Sequence, residues 1–148
     1  MKKSLILIAL LLAAFTINAQ ESNVIHITKA EFIEKVYDYT ASDKAEWQYK
    51  GDKPAIIDFY ADWCGPCRKL SPILEEVATE FKKDIYIYKV NTDKEPEIAK
   101  AFGIRALPTI YFIPMNGDMK GYAGFLPKEE LVKAINSVLL KKEEENKE

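Results

Sequence analysis

Cysteine and histidine are nearly absent from these 148 residues: there are two of the first, Cys64 and Cys67, and one of the second, His26. A multi-bridge secreted scaffold needs more thiols, and a four-ligand zinc site of the usual kind cannot be assembled from this set, so neither a metal nor a cofactor is expected. A surplus of basic charge is missing as well. Lys and Arg number 21 against 23 Asp and Glu, which supplies no phosphate-neutralising surface, and no nucleic-acid partner is expected. Only one apolar run is long, at residues 5–17, and no second stretch could span a membrane. Six glycines and seven prolines are too few for collagen-like or low-complexity sequence. What is present, 48% hydrophobic and 30% charged side chains, is the balance of one compact domain with a self-sufficient core.

Residues 1–19 read as an address. Met1-Lys2-Lys3 is basic, residues 5–17 are uncharged with Thr16 as their one hydroxyl, and Asn18-Ala19-Gln20 closes the run on a small residue. At ~1.5 Å per helical residue the run covers about 20 Å, short of a ~30 Å hydrocarbon core. That is the pattern of a secretory signal peptide cleaved after Ala19. Ile17, bulkier than usual three positions upstream, leaves a retained membrane anchor facing the periplasm as the alternative. No cysteine borders the run, which argues against lipid attachment. Loss of Lys2 and Lys3 leaves 19 basic against 23 acidic residues, a net charge of about −4. Such a chain is expected to be soluble in a bacterial periplasm.

Periodicity then lays out the domain. Weak alternation at residues 24–27 predicts a strand. Thr28 with Glu31 is a capping box, and Phe32, Ile33, Val36 and Tyr37 repeat at helical spacing, so a helix starts near Lys29. Residues 41–53 read as a loop or an extension of that helix. Residues 55–60 are apolar except for Asp58, the look of a strand buried on both faces. Leu70, Ile73, Leu74, Val77, Ala78 and Phe81 stripe a long helix that Pro72 should kink. A strand at 85–90 precedes a short helix framed by Pro96 and Gly103. Strands at 109–113 and 119–123 flank the hairpin signal Asn116-Gly117. Pro127 opens a last helix carrying Leu131, Ile135, Val138 and Leu139, and the charged tail at 141–148 should fray. The order βαβαβα followed by ββα predicts an α/β domain over residues 20–140, a central mixed sheet with helices on both faces.

Trp63-Cys64-Gly65-Pro66-Cys67 follows the buried strand and opens the long helix. Positions i and i+3 on a first helical turn hold Cβ atoms about 5–6 Å apart, so a reversible disulfide fits. Unpaired N–H groups at a helix start carry partial positive charge. They stabilise a thiolate on Cys64 and should lower its pKa from about 8.5 toward 7 or below. Cys64 is expected to face solvent, and Cys67 to be more buried and less ionised, which suits a resolving thiol. A static staple is a poor use of this spacing, because closing so short a loop gains little entropy. His26 reads as a strand residue outside the chemistry, with general base as the alternative.

Residues 56–109 resemble thioredoxin, and the similarity continues more weakly to about Leu140. Four matches occur in order: residues 57–67 with Pro72-Ile73-Leu74 behind them, Lys89-Val90-Asn91, and Gly103-Ile104-Arg105-Ala106-Leu107-Pro108-Thr109. The resemblance implies the thioredoxin fold, with Cys64 as attacking thiol and Cys67 as resolving thiol. It implies that Asp58 is a buried carboxylate handling the Cys67 proton through water, with Lys89 as its charge partner. Pro108 would be cis and face the cysteines, the Leu107 backbone would pair with an extended substrate, and Trp63, Gly65, Pro66 and Gly124 would belong to the substrate surface. A carboxylate in an apolar strand has its pKa raised by desolvation, so it can accept a proton near neutrality. An Asp58 facing water and a solvated Lys89 are the bland alternatives. Two departures stand out: Tyr60 replaces a frequent Trp and should alter packing only, and residues 39–53 are longer than in the minimal form. That segment pads the fold, or else forms a partner-recognition patch.

Direction is read from the residues between the cysteines. Gly65-Pro66 is the pair of reducing thioredoxins, whereas strongly oxidising relatives tend to place His there. The expectation is a monomeric dithiol protein that reduces or isomerises disulfides of exported proteins, fed by a membrane electron donor because its compartment is oxidising. Clients would be misfolded secreted proteins or apocytochrome c thiols. The alternatives are an oxidase re-oxidised by a membrane partner and a redox-silent binding module.

Overall fold

A computed structural model describes residues 22–41 and 46–142. The expected signal peptide, its cleavage point and residues 143–148 of the tail lie outside the described residues. Along the chain come β1 (Val24–His26), α1 (Lys29–Lys35), β2 (Ala55–Tyr60), α2 (Gly65–Glu80), β3 (Tyr86–Asn91), α3 (Pro96–Ala101), β4 (Thr109–Ile113), β5 (Lys120–Ala123) and α4 (Lys128–Ala134). The strands form one sheet in the order β1-β3-β2-β4-β5. Both β1 and β2 pair with β3 in parallel, while β4 runs antiparallel to β2 and to β5. This is the mixed sheet the pattern predicts, and helices cover both its faces.

Alternation along β2 decides which side chain meets which helix. Ile56 joins Leu70, Leu74 and Val77 of α2 and Leu131 of α4, whereas Ala55, Ile57 and Phe59 join Phe32 of α1 and Ile98 of α3. Removing each of these larger apolar side chains from water stabilises the fold by roughly 1.5–3 kcal/mol. With two apolar layers around it, β2 is the best-buried place in the molecule, and Asp58 sits inside it.

The ends of the helices follow local chemistry. Thr28 caps α1 with the full capping box, its side chain accepting from Glu31 N–H while the Glu31 carboxylate accepts from Thr28 N–H. Pro72 does not end α2, which runs unbroken from Gly65 to Glu80. Pro127 is the N-cap of α4, and the last helix stays α only to Ala134. From Ile135 to Leu139 it widens into a π turn, which keeps both of those residues in the core.

Residues 46–53 cover the α1 face of the sheet. The Trp47 ring lies 4.8 Å from Tyr37 and 6.1 Å from Phe102, and Tyr49 Oη donates to Lys53 O at 2.8 Å. Lys50 N–H donates to Val36 O at 2.9 Å, tying the segment to the end of α1. Trp47 and Tyr49 therefore pack inward.

Candidate active site

Cys64 is the N-cap of α2, and the sulfur does what an oxygen usually does at that position. Its Sγ accepts the backbone N–H of Cys67 at 3.2 Å, while its carbonyl accepts Arg68 N–H at 3.2 Å. A sulfur held where backbone donors converge is stabilised as an anion. Cys64 and Cys67 are joined in a disulfide with Cα atoms 5.3 Å apart. The expectation that Cys64 faces solvent does not hold: it is 3% exposed and Cys67 2%. Oxidised, the pair lies under Ala61, with Tyr60 and Leu107 packed against it. Leu107 arrives from a loop some forty residues downstream, so nothing in the first helical turn announces that cover.

Asp58 lies on the α2 face of β2, fully buried, and its register partner on β3 is Lys89, itself 3% exposed. The alternatives of a water-facing Asp58 and a solvated Lys89 are thereby overturned. Lys89 Nζ stands 3.3 Å from Asp58 Oδ2, as an ion pair rather than a well-aligned hydrogen bond, and donates to Ser71 Oγ of α2 at 3.0 Å. Burial pushes the Asp58 carboxyl up to about 6, and Lys89 offsets only part of that rise. The group therefore exchanges a proton near neutrality. A cleft of about 300 Å³, lined by His26, Tyr60, Asp62, Cys67, Ser71 and Lys89 among others, brings Cys67 and the Asp58 partner to one space.

The rim is apolar and partly open. Trp63 is 69% exposed, with Nε1 donating to Asp93 Oδ2 at 2.9 Å. The Leu107–Pro108 peptide is cis, Pro108 is buried, and its carbonyl accepts Gly124 N–H at 2.7 Å. Gly124 has φ +116°, a conformation that side chains rarely adopt. Gly65, on the first turn of α2, has open space above its Cα, and Pro66 beside it is exposed. Of the residues expected at the substrate surface, Leu107 packs against the disulfide, Trp63, Gly65 and Pro66 flank Cys64 in the chain, and Pro108 and Gly124 are joined to each other by a backbone hydrogen bond.

A family model described as Thioredoxin matches residues 23–137. The chain belongs to the thioredoxin family. It is 51% identical over 105 residues to a thioredoxin of Borreliella burgdorferi, which covers 71% of this chain and 88% of that protein. It is 37% identical over 111 residues to the chloroplastic M-type thioredoxin of Spinacia oleracea, covering 74% of this chain and 61% of that one. Among solved structures, chloroplastic thioredoxin z superposes with a TM-score of 0.64 at 29% identity, over 77% of this chain and 92% of the other. With its disulfide-capable cysteine pair, this member of the family is a thiol-disulfide oxidoreductase.

Two residues of the site, Asp93 and Ser71, lie outside what the sequence reading singled out. Asp93 holds Trp63 from the loop after β3, and Ser71 holds Lys89 from one turn beyond Cys67. The Tyr60 ring lies 4.4 Å from Lys89 Nζ. His26 reaches the same corner, with Nδ1 3.1 Å from Tyr60 Oη. The usable signal was register, because parallel pairing puts His26 beside Lys89 and Lys89 beside Asp58.

Proposed function

We propose that the protein reduces or isomerises disulfides of exported proteins in a bacterial periplasm, acting as a monomer through a Cys64–Cys67 dithiol/disulfide cycle. One observation carries the reading: Cys64 Sγ receives the Cys67 N–H at a helix start, within a fold that also buries the Asp58–Lys89 pair next to the resolving thiol's cleft. The Cys64 thiolate attacks one sulfur of a substrate disulfide; that bond breaks, a mixed disulfide forms, and the departing sulfur takes a proton from solvent. Cys67 then gives its proton to Asp58 through water and attacks Cys64 Sγ. The Cys64–Cys67 bond forms, the second substrate sulfur leaves, and two electrons have passed to the substrate. With its carboxyl near 6, Asp58 can accept that proton and return it to water in the next cycle.

The oxidised protein must be re-reduced by an external dithiol. In an oxidising compartment the donor is a membrane protein carrying electrons out of the cytoplasm. Gly65-Pro66, with no His between the cysteines, supports the reducing direction. Equilibration with a glutathione buffer tests it: a potential near the roughly −270 mV of reducing thioredoxins is expected, and one near roughly −120 mV would assign an oxidase. Fractionation of a C-terminally tagged full chain tests the compartment, and recovery in the cytoplasm would overturn that part. Light scattering on the processed chain tests the monomer.

A further inference from the structure

His26, Lys89 and Asp58 occupy one cross-strand row: His26 pairs with Lys89 in the β1–β3 register, and Lys89 with Asp58 in the β2–β3 register. All three point to the α2 side, as do Val24, Ile87 and Ile56 two residues before them. Tyr60, two residues beyond Asp58, closes the row. Its ring stacks on the Lys89 ammonium at 4.4 Å, and its hydroxyl meets His26 Nδ1 at 3.1 Å, with the two rings edge to face at 5.8 Å. Lys89 is therefore held on three sides, by Asp58, Ser71 and the Tyr60 face, and His26 fixes the outermost of those supports.

We propose that Tyr60 and His26 are positioning residues for the proton transfer from Cys67: the Tyr60 ring, pinned by His26, presses the Lys89 ammonium toward Asp58 and so sets how readily Asp58 takes up that proton. The inference rests on Asp58 being the acceptor of the Cys67 proton. Without the ring, the ammonium gains a route outward along the cleft, toward Asp62 and solvent, and Asp58 loses part of the attraction that keeps it ionised. The charged groups around His26 are Lys89 and Lys94, which disfavour its protonation, and Glu75 and Asp62, which favour it. Burial, together with Lys89, keeps His26 below its ordinary pKa, and it acts through its contact with Tyr60.

The test is the pH dependence of insulin-disulfide reduction between pH 5 and 9 by the processed chain. Variants are Tyr60→Leu, Tyr60→Phe, His26→Val and Asp58→Asn, with Tyr60→Leu and His26→Val repeated in the Asp58→Asn background. Removing a cation–π contact of this kind corresponds to a shift of roughly half a pH unit. Tyr60→Leu and His26→Val are expected to move the midpoint upward by about that amount, Tyr60→Phe by less because the ring remains, and neither shift should survive in the Asp58→Asn background. His26 is exposed on an edge strand, so His26→Val reads out even where Tyr60→Leu folds poorly. If Asp58→Asn removes the midpoint while His26→Val and Tyr60→Leu leave it in place, the positioning role is overturned and the proton acceptor stands. If Asp58→Asn leaves the profile unchanged, the acceptor assignment falls and this inference with it.

Discussion

Lys89 Nζ stands 3.3 Å from Asp58 Oδ2, yet the attraction does not offset the burial of the carboxylate, which rises from 3.8 to about 6. An acid whose folded pKa lies above its unfolded value binds its proton more tightly in the folded state. Stability is then greatest below about pH 4, falls as pH climbs toward 6, and levels off above. The interval corresponds to roughly 3 kcal/mol. Asp58→Asn stays neutral throughout, so its stability should lack this decline and exceed that of the parent at pH 8. Urea titrations at pH 4, 6 and 8 measure both curves, and parallel curves would remove the shift assigned to Asp58.

The two sulfurs should separate cleanly by substitution. Cys64→Ser leaves no attacking thiolate and is expected to abolish insulin-disulfide reduction. Cys67→Ala keeps the attacker but cannot release what it captures, so disulfide-linked client complexes accumulate. Non-reducing gels of exported fractions followed by mass spectrometry read this out. An absence of thiol-sensitive bands would count against the division of roles.

Trp63 combines a large exposed ring with an anchoring bond to Asp93. Trp63→Ala should raise KM for insulin roughly tenfold, the size of an interface anchor, with little change in kcat. A small aromatic disulfide, which needs no apolar rim, should be reduced almost as before. Equal losses on both substrates would place Trp63 in the chemistry rather than the docking surface.

Trp47 packs against Tyr37 and Phe102, so Trp47→Ala should destabilise the fold by roughly 2 kcal/mol, less than a fully buried ring, while reduction of insulin continues at the parental rate. Chemical denaturation and the insulin assay on the same preparation decide between padding and partner recognition. Unchanged stability with impaired client turnover would favour recognition.

Much of this fold is legible from period alone. The apolar stretch of β2 announces a strand covered twice, Thr28 with Glu31 announces a helix start, and Asp58 stands out because nothing else charged interrupts that strand. Contacts that cross between distant elements are less visible. The cover over Cys64 comes from Leu107, and the grip on Trp63 comes from Asp93, both in loops whose paths depend on how the sheet is assembled. The π turn after Ala134 leaves no mark either, since Ile135 and Leu139 keep a spacing compatible with an ordinary helix.

Parallel register places Asp58 beside Lys89. Sliding β2 by one residue against β3 would turn Asp58 to the opposite side of the sheet, stranding a carboxylate among Ile57's neighbours and leaving an ammonium without its counter-ion. A sheet threaded one residue out of register would therefore carry a cost that the native pairing of Asp58 with Lys89 avoids.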